Sequence, residues 1–136
     1  MKLCPTVADP QAVVVYQTPV HTPPTRADFS RAARGVLAAL QVRLSGEQVV
    51  IKPNVTSGEH FADPDSGITT HPEFAGGVVD YLSAHGARAD GIYVVEDPHG
   101  DGETPCHWRG TGYLAMAQES GAKLECTNTL EACIRK

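Results

Sequence analysis

Lys52, Asn54, Thr69, Thr70, His71, Glu96 and Asp97 all stand where an apolar run ends or is about to begin. Val49-Val50-Ile51 is a continuous β-branched run, and Lys52-Pro53-Asn54 leaves its end. Pro53 fixes its own φ and biases Lys52 away from helical geometry, so a strand can run to its last residue and deliver the lysine there. An amine at such a position can bind a phosphate or carboxylate, or serve as a base or imine former. It can equally pair with Glu96 or Asp97 across neighbouring strand ends, and the residues alone leave both readings open.

Thr69-Thr70-His71-Pro72 reads as the opening of a helix, with proline at its first position. The threonine hydroxyls can cap that helix, or they can join its N–H groups in holding an anionic ligand group, with His71 as proton donor or ligand. A second polar loop follows Val94-Val95, from Glu96 to Gly112. It is no Walker loop, because no Gly-Lys-Ser/Thr follows, and Gly110-Thr111-Gly112 alone is a weak signal. Asp97, His99, Asp101, Cys106 and His107 mix oxygen, nitrogen and sulfur donors, which makes His99, Cys106 and His107 candidate ligands for a divalent transition metal, without a diagnostic spacing. The competing reading is a solvated loop that gates a ligand, with Trp108 as lid contact or core anchor. The residues thus divide into acid–base candidates, His71 and Glu96, and ligand-binding candidates, Lys52, Asn54, Thr69, Thr70 and Asp97.

The elements that must position these groups follow from periodicity and punctuation. Val13-Val14-Val15-Tyr16 reads as a first strand, closed by Thr18-Pro19 and Pro23-Pro24. Thr25 with Asp28 opens a helix whose stripe is Phe29, Ala33, Val36, Leu37 and Leu40. Val49 to Ile51 is the second strand. Phe74, Val78, Tyr81, Leu82 and His85 line a helix that runs from Pro72 to a cap at Gly86. Ile92 to Val95 is the third strand, a helix over about 111–120 ends at Gly121, and a weaker strand covers Lys123 to Thr127. Strands alternating with helices predict a Rossmann-like α/β sandwich, a small and mainly parallel sheet of about four strands flanked by helices, as one domain over residues 1–136. Ligands of such folds bind outside the carboxyl ends of the strands. That rule gathers the candidate residues, together with His21 and Arg26, on one rim.

The chain has 136 residues, 41% of them hydrophobic and 20% charged, a globular composition. Its eleven Lys and Arg are scattered and its formal charge is −5, which excludes the basic footprint that nucleic acid or an anionic membrane needs. The amino terminus lacks an apolar signal core and no stretch nears the roughly 20 apolar residues of a span, so a soluble, cytoplasmic protein is expected. Cys4, Cys106, Cys126 and Cys133 lack close repeats and read mainly as reduced thiols without a shared role.

Val50-Ile-Lys-Pro-Asn54, Gly67-Ile-Thr-Thr-His-Pro72, His85-Gly86-Ala87, Val94-Val-Glu-Asp-Pro98 and Thr111-Gly-Tyr-Leu114 together resemble one family, the domain of unknown function 362, in order over about residues 46–126. The resemblance implies an α/β domain, often associated with a ferredoxin-like iron–sulfur module and distantly similar to the nickel-dependent lactate racemase superfamily. It carries over Lys52, Asn54, Thr69, Thr70 and His71 as motif positions. Two departures stand out: no cysteine-rich segment for a cluster, and an end at Lys136 where the family's domain would continue, so the chain resembles an amino-terminal portion. Three functions are therefore expected in turn: a domain binding a small anionic molecule at the rim, a metal or iron–sulfur redox partner, or a truncated non-catalytic domain that self-associates or pairs with a separately encoded half.

Overall fold

The computed structural model describes residue 9 and residues 11–55, 67–88, 90–97 and 108–126. Six elements alternate along them: α1 (Arg26–Ala39), β1 (Val49–Ile51), α2 (Pro72–Ala84), β2 (Ile92–Glu96), α3 (Tyr113–Ser120) and β3 (Lys123–Cys126). The sheet has the order β1-β2-β3 and is parallel throughout its described strands. Val49 lies opposite Ile92, Ile51 opposite Val94, and Glu96 opposite Cys126. The α/β expectation is met, with three strands among the described residues where about four were expected.

The difference lies at the start. Val13 to Tyr16 is not a strand; Val13 and Val15 are 87% and 85% exposed, while the Tyr16 ring packs on α1, where a Cβ at Gly35 would meet its hydroxyl. Three valines in a row favour extended backbone, but a strand also needs an edge to pair with, and that requirement is not written in local sequence.

Each helix begins and ends for local reasons. At α1 the Asp28 carboxylate accepts the Thr25 backbone N–H (2.9 Å) and hydroxyl (2.8 Å), so the residue in the first turn closes the cap. Pro72 opens α2, where a missing N–H costs nothing, and Gly86 beyond its end adopts φ +97°. α3 lies between Gly112 and Gly121, both left-handed.

Both crossovers step the same way across the sheet, and right-handed connections then place α2 and α3 on the same face. Burial agrees. Ile92 and Val94, on one side of β2, are 5% and 0% exposed, packed with Ala75, Val79 and Leu82 of α2 and Met116 of α3. Full burial of such aliphatic side chains stabilises by about 1.5–3 kcal/mol each, so this layer is the main source of cohesion. α1 packs beside α2 at close range: a Cβ on Gly77 would lie 2.6 Å from the Ser30 carbonyl oxygen, which only glycine permits. On the opposite face of the sheet Val50 is 67% exposed, with Tyr93 and Val95 half-buried. No described helix is long and apolar enough to cross a membrane.

Candidate functional site

β1 and β2 end side by side, and the polar residues that follow them meet there. Lys52, the first residue beyond β1, donates through Nζ to Glu96 Oε2, the last residue of β2, at 2.5 Å. The Lys52 side chain is 69% exposed and that of Glu96 only 12%, so the pair has a dry half and a wet half. Glu96 also accepts the Asp97 N–H (2.9 Å) and, at 3.5 Å, the Val55 N–H. Burial alone pushes its carboxyl up, but the Lys52 ammonium and those two N–H groups outweigh it and hold Glu96 below the usual carboxylate range. Of the two sequence readings of Lys52, pairing with Glu96 is the one observed.

Asn54 is tied to the segment before α2 by three hydrogen bonds. Its N–H donates to Thr70 Oγ1 (3.0 Å), its carbonyl accepts the Thr70 N–H (2.8 Å), and its side-chain Nδ2 donates to the Ile68 carbonyl (2.9 Å). The structure therefore brings Lys52, Asn54, Thr70 and Glu96 together at the carboxyl ends of β1 and β2, with Asp97 next along the chain. Thr69 and Asp97 are each half-buried.

His71 takes the cap that one of the two readings gave to the threonines. It is 5% exposed, its ring stacks on Phe29 at 4.0 Å and 4°, and its Nδ1 accepts the Glu73 N–H at 3.1 Å. An Nδ1 that accepts carries no proton, so in this arrangement the neutral ring holds its proton on Nε2. The Phe74 and Ala75 N–H groups donate to the His71 carbonyl, and Pro72 has none, so the first N–H groups of α2 are all engaged within the chain. What the helix start offers a ligand is its positive dipole end rather than bare donors.

His21 and Arg26, also expected on the rim, pair with carboxylates in the first turns of α1 and α2. His21 donates its N–H to Asp28 and places Nδ1 2.8 Å from the same carboxylate, and Arg26 lies 3.9 Å from Glu73. Trp108 is a core anchor, 7% exposed with its ring 5.4 Å from Tyr113. Sequence reasoning missed Tyr113 as part of the site. This residue is fully buried at the start of α3, and its hydroxyl donates to the Thr70 carbonyl at 2.9 Å. Burial, and after it the negative charge of Glu96, pushes its phenol well above the ordinary tyrosine range and keeps it a donor. Its signals in the sequence were an aromatic residue directly after a glycine-rich turn and its place in the Thr111-Gly-Tyr-Leu114 stretch that resembles the family.

The metal candidates His99, Cys106 and His107 lie outside the described residues. Among the described residues no three His, Cys, Asp or Glu side chains group as metal ligands. Cys126, at the end of β3, is disulfide-bonded, an exception to the expectation of mainly reduced thiols.

A family model described as Domain of unknown function (DUF362) matches residues 49–133, more than half of the chain, from β1 through the rim and beyond β3. No curated protein and no solved structure matches the chain.

Proposed function

The chain belongs to the DUF362 family, whose description assigns no reaction, and we propose from the chemistry of the rim that it binds a small anionic molecule there. One observation carries the reading: the Lys52 side chain is two-thirds exposed, yet its ammonium is anchored at a strand end by Glu96, whose side chain is mostly buried, beside Asn54 and Thr70. An anion competes with Glu96 for that ammonium. Asn54, Thr69, Thr70 and Asp97 border the place it would occupy, and the dipole of α2 favours negative charge there. Should the bound molecule react, Glu96, relieved of its lysine, is the proton acceptor, and the neutral His71 ring serves as a hydrogen-bond donor through its Nε2–H.

The test is calorimetric titration with inorganic phosphate, pyrophosphate and a dicarboxylate, with thermal unfolding alongside. A ligand of the folded state at about 100 times its Kd stabilises by about 2.7 kcal/mol, a visible shift in Tm. Lys52→Met is expected to weaken binding at least about tenfold, the worth of one charge-assisted contact, and Glu96→Gln to tighten it by freeing the ammonium. Equal binding by wild type and Lys52→Met, or no binding of any of the three anions, ends the proposal.

The exposed face of the sheet favours a second reading, in which a second copy of this chain covers it. Parallel sheets are usually buried on both sides, and Val50 is 67% exposed. Sedimentation velocity over a wide concentration range should then show a dimer that Val50→Asp dissociates. A strictly monomeric wild type would exclude it.

A further inference from the structure

We infer that Tyr113 is the positioning residue of the rim, holding Asn54, and with it the chain that follows Lys52, through Thr70. Three segments far apart in sequence meet at Thr70. Its carbonyl accepts the Tyr113 hydroxyl at 2.9 Å, its N–H donates to the Asn54 carbonyl at 2.8 Å, and its Oγ1 accepts the Asn54 N–H at 3.0 Å. Thr70 is thus the link between the segment leaving β1 and the start of α3. The phenol is the fixed end of that link, because every other part of Tyr113 is held: the residue is fully buried, its ring packs against Trp108, and its N–H donates to Thr111 Oγ1 at 3.2 Å. Thr111 in turn donates to the Trp108 carbonyl at 2.7 Å.

The approach of α3 to α2 is equally constrained. Gly112, at φ +79°, stands where a Cβ would lie 2.8 Å from Pro72 Cγ, so the start of α3 is seated against the start of α2. The rim between β1 and β2 is therefore set in part from a third element, which reaches it through the Tyr113 hydroxyl. A buried hydroxyl aimed at a loop carbonyl does what a loop cannot do for itself, which is to select one conformation of a segment without regular structure.

The inference rests on the anion-binding reading only for what the positioning serves, and the experiment separates the two. Tyr113→Phe keeps the ring and removes one hydrogen bond. In the ligand-free protein, amide hydrogen exchange at Thr70 and Asn54 is expected to accelerate about tenfold while that of Val94, in the core strand, stays unchanged. The affinity for inorganic phosphate should fall several-fold with little change in Tm. Unchanged exchange at Thr70, or acceleration shared equally by Val94, overturns the positioning role. If wild type does not bind phosphate, the anion reading fails on that probe while the amide measurement still decides the role of Tyr113. Should Tyr113→Phe not fold, Thr111→Val, which loosens the start of α3 and leaves the phenol in place, is read in the same way.

Discussion

Two carboxylates, Asp28 and Glu96, are each held by cations and backbone N–H groups, yet they are built for different ends. Asp28 is 1% exposed and accepts from the His21 and Thr25 N–H groups, the Thr25 hydroxyl and Arg31, with His21 Nδ1 at 2.8 Å. Every partner comes from α1 or the few residues before it, so the cluster closes on itself. Glu96 is reached from Lys52 and Val55 in the segment that follows β1 and from its own neighbour, and its cation stands largely in water. A carboxylate enclosed by local donors fixes a helix start. One whose lysine partner stands largely in solvent joins two strand ends and leaves its cluster open to water.

The largest effect expected is at Asp28. Asp28→Ala removes the acceptor that several donors share and should lower Tm by on the order of 5–10 °C, measured by thermal unfolding; a change within error would show the cluster to be incidental. Next comes the acid limb of stability. The Thr25 N–H first, and His21 and the Thr25 hydroxyl after it, hold the Asp28 carboxyl well below the usual carboxylate range against the opposing effect of burial. A depressed carboxyl contributes stability that is complete above its unfolded pKa of about 4 and is lost as pH falls below that value towards the folded one. Denaturant midpoints measured from pH 5 down to pH 2 should drop in wild type and flatten in Asp28→Asn. Smallest is Glu96→Gln, expected to change stability by about 1 kcal/mol or less because its partner is exposed. A loss several times larger would make Glu96 a second Asp28 and weaken the case for a binding rim.

The elements were legible where punctuation and periodicity coincided. Pro72, Gly86 and Gly121 mark helix ends that the structure keeps, and the β-branched runs at Val49 and Ile92 are strands because helices cover one side of them. The run at Val13 has the same composition and no strand partner among the described residues, so composition alone misled. At the rim, the meeting of Lys52 with Glu96 followed from the rule that parallel strands end together. The capping by His71 did not follow, since threonine is the commoner cap, and a ring that stacks on Phe29 can be known only once α1 is seen against α2. Nor could His21 be assigned, because the turn that returns it to Asp28 has no periodic signal.

The register of the sheet has a kinetic consequence. Val49 pairs with Ile92 and Tyr93 with Lys123, so each strand pair in the described sheet closes only after an intervening helix and its loops have been gathered in. There is no hairpin among them to nucleate the sheet locally, and loop-closure entropy must be met before any ladder bond forms. The sheet is therefore expected to form after α2 and α3 collapse against the apolar side of β2. Folding of this chain should be slow for its size, with its rim the last part to take shape.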